Sequence, residues 1–334
     1  MGLKHYTFVD YATQLYAGFV VMLILCFHNG TVHHWEWVVT ANLAVMCAVH
    51  GLIRWHGVIS AFGDQGLGTR SLGFLRHFYP VLLYVFFFCE TGWLNRMFIR
   101  EYLDPVIIHW EQAWLGCQPS VLFMQMFPQR AVSELFYASY FSYYIMISGI
   151  GIALFVRDRM QFFHYVSVVS FVFYVCYAIY IFVPVIGPRV FFHEIAGYEL
   201  PGVSQALAPV AYYPEGIHDG VFARLVGWLY KVAEAPGAAL PSSHVAVALV
   251  TVFFSFVYLR RIRYWHLALA ILLCASTIYC RHHYVIDVVA GVITAAVLVP
   301  LANWLYFRVS KAPVPSALGR LAPAALMSRT GTPS

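Results

Sequence analysis

Residues 241–291 read PSSHVAVALVTVFFSFVYLRRIRYWHLALAILLCASTIYCRHHYVIDVVAG. Val245 to Leu259 carry no charged side chain; RRIR (260–263) follows, and a second, mostly apolar run extends to Cys280. A membrane-crossing helix needs about 20 predominantly apolar residues. The stretch therefore holds two crossings joined by a tight basic turn, and the start of a third. Its two polar ends, PSSH (241–244) and RHHYVID (281–287), are separated by two crossings and so return to one membrane face.

Outward from this segment, the same pattern predicts eight spans, at about 12–28, 35–54, 75–97, 131–156, 161–184, 243–260, 264–281 and 284–307. The expected fold class is all-α, a polytopic membrane helical bundle with a six-helix catalytic core. Residues 1–74 supply two extra helices and a cytoplasmic loop, 75–311 the core, and 312–334 a disordered cytoplasmic tail rich in Pro, Ala, Ser and Arg. Composition agrees: 61 % of the 334 residues are hydrophobic and 10 % charged, against roughly 25 % charged in a soluble domain. So few charges cannot cover a water-facing surface. The net charge of +5 is spread over the connections without a long basic run, which argues against a nucleic-acid partner. The N-terminal sequence has no cleavable signal pattern, and its first apolar stretch reads as a retained helix.

Placing the N-terminus in the cytoplasm leaves seven basic residues outside, Arg96, Arg100, Arg130, Arg189, Arg224, Lys231 and Arg281, and the other 13 of 20 inside. The tight turns RDR (157–159) and RRIR decide this orientation. Two longer segments are then external. EYLDPVIIHWEQAWLG (101–116) reads as an interfacial helix with Trp110 and Trp114 at headgroup depth. The loop 185–242 contains an amphipathic piece, VFARLVGWLYKV (221–232), and is long enough to shape a substrate site.

Ionisable residues at a membrane boundary mark function, because burying them in lipid is unfavourable. His283 and Asp287 are spaced to share one side of a helix, so Asp287 can accept a hydrogen bond from one ring nitrogen and leave the other as a nucleophile. His244 can protonate a leaving alkoxide. Ser242 and Ser243 sit at a helix start, where backbone N–H groups bind anions, and Arg189 and Arg281 suit phosphate oxygens. The catalytic candidates are His244, His283 and Asp287, and the phosphate-binding candidates Arg189, Arg281, Ser242 and Ser243. No metal or other cofactor is expected. The partners expected are the membrane and a lipid phosphate substrate, and the sequence sets no oligomeric state.

PSSH, HHYVID and the following VVAG resemble the type-2 phosphatidic acid phosphatase superfamily, whose signature contains Pro-Ser-Gly/Ser-His and a later His-x-x-x-Asp. The resemblance covers residues 131–307 and extends to 98–130, where Asp104, Glu111, Gly116 and Pro119 are similar to bacterial relatives of inositol phosphorylceramide synthase. It implies His283 as nucleophile, His244 as general acid and Asp287 as orienter. The Lys-x6-Arg-Pro motif of the hydrolase branch is missing, and Ser276-Thr277 stand where that branch has Ser-Arg. Arg281, one turn later, and PVIGPR (184–189) take the place of these elements. The branch it most resembles is that of inositol phosphorylceramide and sphingomyelin synthases. The implied activity is cleavage or transfer of a lipid phosphoester through a phosphohistidine, at the extracytoplasmic face of a bacterial inner membrane. The alternative is a plain hydrolase of phosphatidic acid or isoprenyl phosphate.

Other residues read more plainly. His282 is expected to face away from the site, as the helical neighbour of His283. Glu90 and Glu134 are expected to hydrogen-bond within the bundle, and Tyr137, Tyr140, Tyr143 and Tyr144 to pack and line the cavity. Cys117 and Cys280 are near enough to a boundary to pair on an oxidising face. The 15 histidines invite a haem or metal protein as a rival class, but His28, His50, His77 and His164 form no matched pairs, while a zinc site from His244, His283 and Asp287 is a geometric alternative. A transporter would place its ionisable residues at mid-membrane rather than at the boundary.

Overall fold

The apolar runs fold as helices. In the computed structural model, α1 spans Phe8–Phe27, α2 Trp35–Phe62, α3 Leu67–Leu94, α4 Asp104–Leu115, α5 Pro119–Met126, α6 Arg130–Arg157, and α7 Arg159–Phe182. They are followed by α8 (Pro188–Glu194), α9 (Val221–Val232), α10 (Ser243–Tyr258), α11 (Arg263–Tyr279) and α12 (Val285–Ser310). The structure describes residues 5–62, 66–194, 213–232 and 235–310, with Ala312, Val314, Pro315 and Leu318. The expected disordered tail lies almost wholly outside the described residues, as does the middle of the 185–242 loop. Among the described residues there is no strand, only an isolated bridge between Val185 and Ala238.

Six helices, α1, α2, α3, α6, α7 and α12, are long and apolar enough to cross a membrane. The two remaining expected spans form as shorter helices, α10 of 16 residues and α11 of 17. At 1.5 Å per residue each rises about 24–26 Å, roughly a turn short of a full crossing. Their polar ends set the length, with Ser242 capping the start of α10 and the RRIR turn closing its far end. Conversely, α2 and α3 run further than expected, to Phe62 and from Leu67, because Arg54 and Arg70 are compatible with helix and simply extend it past the apolar core.

The turn between α6 and α7 is a single residue. Asp158 adopts an extended conformation (φ −163°, ψ 117°), and its side chain accepts from the Met160 N–H as the N-cap of α7. α7 is the hub, packing against α1, α3, α6, α10 and α12. α2 touches only α1 and α3 among the well-packed pairs, leaving most of its surface for lipid. Lipid tails are as apolar as leucine, so close packing and interhelical hydrogen bonds hold such bundles together. Here Tyr84 and Ser170 hydroxyls meet at 2.8 Å, Thr13 and Tyr174 at 3.1 Å, and Asn42 donates to Glu90 at 2.7 Å. Each such bond contributes on average about 0.6 kcal/mol. Where α12 crosses α10, a Cβ on Gly291 would lie 2.6 Å from the Ser242 carbonyl oxygen, so only glycine permits that approach.

This topology brings the start of α10, the end of α11 and the start of α12 to one end of the bundle. α4, α5, α8 and α9 gather at the same end, and the RDR and RRIR turns lie at the other. On α4, Asp104, Ile107, Ile108 and Glu111 are buried while Trp110 and Trp114 are 51 % and 74 % exposed, so the helix has one packed face and one open one.

Candidate active site

The chain reaches the site through an unusual turn. After α11, Arg281 takes a left-handed conformation (φ 60°), which non-glycine side chains rarely adopt. The His282 and His283 N–H groups both return to the Thr277 carbonyl, at 2.9 and 3.1 Å. α12 begins only at Val285, so His283 precedes the helix and Asp287 lies in its first turn. The pair still meets, with His283 Nδ1 3.4 Å from Asp287 Oδ2. The same oxygen accepts from the Tyr284 N–H at 2.9 Å. His283 Nε2 faces His244 Nδ1 at 3.5 Å. Burial pushes the His283 imidazole down to about 4, against the opposing pull of a hydrogen bond with the Ala239 backbone. It is therefore neutral at neutral pH, with a lone pair available.

Ser242 caps α10. Its Oγ accepts from Val245 N–H at 3.3 Å, its N–H donates to the Asp287 carbonyl at 3.0 Å, and Ser243 N–H donates to Tyr180 at 3.2 Å. The N–H groups expected to hold phosphate are thus already engaged. These bonds make the two serines anchors that tie α10 to α12 and α7, rather than open donors.

His244 is bracketed by aromatic rings. Its Nε2 lies 2.9 Å from the Tyr140 hydroxyl, which meets the Tyr230 hydroxyl at 2.5 Å. Tyr143 packs on the imidazole with ring centroids 4.5 Å apart. Tyr140 therefore does more than line the cavity: it contacts a candidate acid–base group. His282 also departs from expectation. It does not face away; its ring lies 4.3 Å from Tyr140 and 4.7 Å from Tyr230, against the same aromatic pair. The rule for neighbours on a helix fails because residues 281–283 are not helical.

Arg189, near the start of α8, donates its N–H to the Arg281 carbonyl at 2.6 Å and sets its guanidinium over Tyr230 at 4.4 Å. Arg281 is 1 % exposed with its guanidinium over Tyr213 at 4.6 Å. Burial raises the Tyr213 phenol, and the charges of Arg281 and Arg189 pull it back down. The two arginines thus form one positive region beside the histidines.

Asp104 and Glu111 contribute what spacing did not reveal. Asp104 accepts from the Ile186 and Gly187 N–H groups and from the Tyr284 hydroxyl, each at 2.9 Å. Glu111 accepts from the Ile286 N–H at 3.1 Å. Together they clamp α4 onto Tyr284 and Ile286, just after His283, and onto the segment leading to Arg189. Burial raises Asp104 to about 6 and Glu111 to about 7, opposed by these donors. Their signal was the Asp-x6-Glu spacing on a helix otherwise suited to an interface, but their partners lie far along the chain.

Elsewhere the polar residues serve packing. Glu134 accepts from Phe222 and Ala223 N–H groups at the start of α9. All seven cysteines are free, so Cys117 and Cys280 do not pair. His164 is tied to Tyr258 and Asn303, and His50 to Tyr6. Among the described residues, no three of His, Cys, Asp and Glu converge as a metal site.

A model of the PAP2 superfamily matches residues 106–301, from α4 into α12, more than half of the chain. No curated protein and no solved structure matches the chain.

Proposed function

The chain belongs to the PAP2 superfamily, and from that premise we propose that it transfers a phosphoester group from a lipid to an alcohol through a phosphohistidine on His283. The observation that carries this reading is one row of contacts. Asp287 Oδ2 lies 3.4 Å from His283 Nδ1, and His283 Nε2 lies 3.5 Å from His244 Nδ1. Asp287 holds the Nδ1–H tautomer, which directs the Nε2 lone pair toward the substrate. As Nε2 bonds to phosphorus, the bond to the leaving oxygen breaks and its electron pair stays on that oxygen. A proton carried by His244 neutralises it. An acceptor hydroxyl then gives its proton to His244 and attacks phosphorus, breaking the N–P bond and freeing His283. Arg189 and Arg281 supply positive charge for the phosphate oxygens.

Transfer rather than hydrolysis is favoured by the missing Lys-x6-Arg-Pro motif and by the Asp104–Glu111 clamp, on residues that resemble the inositol phosphorylceramide synthase branch. The positive-inside distribution of the RDR and RRIR turns supports an extracytoplasmic site, in a bacterial inner membrane. The test is a panel of labelled phosphatidylinositol, phosphatidic acid and isoprenyl phosphate, each with and without ceramide or inositol. Label moved to an added alcohol is the expected result. Release of inorganic phosphate alone, indifferent to acceptor, would establish the hydrolase instead.

A further inference from the structure

His282 is the one histidine of the site that the chemistry above leaves unused. It is 8 % exposed, and neither ring nitrogen has a hydrogen-bond partner among the described residues. A neutral imidazole carries one donor and one acceptor, and buried polar groups are nearly always paired. Its ring is nonetheless held in place. Tyr140 and Tyr230 flank it with centroids at 4.3 and 4.7 Å, the Tyr230 ring nearly parallel at 20°.

The backbone is fixed as firmly. Gly187 has φ +88°, and a Cβ there would lie 2.7 Å from the His282 carbonyl oxygen. The left-handed Arg281 turns the chain so that His282 enters the cluster instead of continuing a helix. Backbone strain of this kind persists where the surroundings over-determine it, commonly at functional sites. On one side, the Tyr140 hydroxyl that flanks His282 reaches His244. On the other, Arg189 lies over the second flanking ring, Tyr230. His282 thus shares its two aromatic neighbours with a cation suited to phosphate and with a candidate proton donor.

We propose that His282 is a further substrate-binding residue, offering a ring N–H from its place against Tyr140 and Tyr230 to a non-bridging oxygen of the lipid phosphate ester. The assignment rests on the phosphoester reading of the site. It gives the buried nitrogen the partner that the protein withholds, and places a third donor beside Arg189 and Arg281.

The test measures binding of orthovanadate, a phosphate-shaped oxyanion, to the full-length protein in lipid nanodiscs. His282→Phe keeps the stacked ring and removes both nitrogens. His282→Asn and His282→Gln restore an amide near the Nδ1 and Nε2 positions respectively. The Phe variant should bind roughly tenfold to a hundredfold more weakly, as expected for a lost hydrogen bond to a charged group. One of the two amide variants should recover affinity to within about threefold of the parent. If His282→Phe binds within about threefold while His283→Ala is weakened, His282 is not a ligand and the phosphoester reading stands. If the parent binds no orthovanadate, both fall. Should the Phe variant melt early, the amide variants decide, and weakening of both by more than about tenfold overturns the proposal.

Discussion

Two buried carboxylates, at opposite ends of the bundle, are treated very differently by their neighbours. Asp10 on α1 has both carboxylate oxygens engaged. Its Oδ2 accepts from Thr7 N–H at 2.6 Å, Thr7 Oγ at 2.8 Å and Arg76 at 2.5 Å, and its Oδ1 from Tyr79 at 2.6 Å. Asp287 on α12 is equally inaccessible, yet its Oδ1 has no partner among the described residues and its contact with His283 is long, at 3.4 Å. His283 in turn meets His244 only at 3.5 Å. Four short bonds to Asp10 join the start of α1 to α3. The longer contacts of Asp287 and His283 fit the proposed catalytic role, because catalytic hydrogen bonds commonly tighten only when substrate binds.

The contrast can be broken at three points. The largest effect should follow Asp287→Asn, which keeps size but loses the charge that orients His283. Turnover at saturating lipid should fall by about 10²–10⁴-fold, the range for a misdirected catalytic histidine, with the melting midpoint little changed. Asp10→Ala should do the reverse. Leaving Arg76 buried and unpaired costs about 3–5 kcal/mol, read by denaturation in detergent, while kcat per folded molecule stays within about twofold of the parent. If Asp10→Ala slows the reaction more than it destabilises the fold, the division of labour between the two ends is wrong.

Glu111 sharpens the comparison with a smaller effect. Burial raises its carboxyl from 4.5 to about 7, so the folded state holds a proton that the unfolded chain has released. Its contribution to stability is therefore greatest below about pH 4.5 and declines as pH rises toward 7. Glu111→Gln mimics the protonated form. The melting midpoint of the parent relative to this variant should fall across that window and level off above it. A difference independent of pH would show that Glu111 does not titrate there.

The bundle was legible because lipid imposes long apolar runs and charged turns. α7, expected at 161–184, forms at Arg159–Phe182, and α6, expected at 131–156, at Arg130–Arg157. The meeting of His244 with His283 was legible from topology alone. Three features were not. α10 and α11 end early, at Tyr258 before the RRIR turn and at Tyr279 before the left-handed Arg281, and hydropathy does not resolve such local turns. A helical direction for His282 follows from its neighbours only if the helix runs through it, and the left-handed Arg281 before it breaks that condition. Asp104 and Glu111 act through partners 82 to 180 residues away, and no periodicity links positions so distant. The serines of PSSH read as an anion site because they open a helix, and only the fold shows their N–H groups bonded to the Asp287 carbonyl and the Tyr180 hydroxyl.

The central claim is that His283 carries the phosphoryl group. It is tested most directly by mixing the protein with phosphate-labelled lipid, quenching at early times in alkali, where phosphohistidine survives, and mapping the label by mass spectrometry. The account predicts label on His283 in the parent, and neither label nor more than about 10⁻³ of parental turnover in His283→Ala. Steady turnover with no covalent label, or with label on another residue, would contradict it.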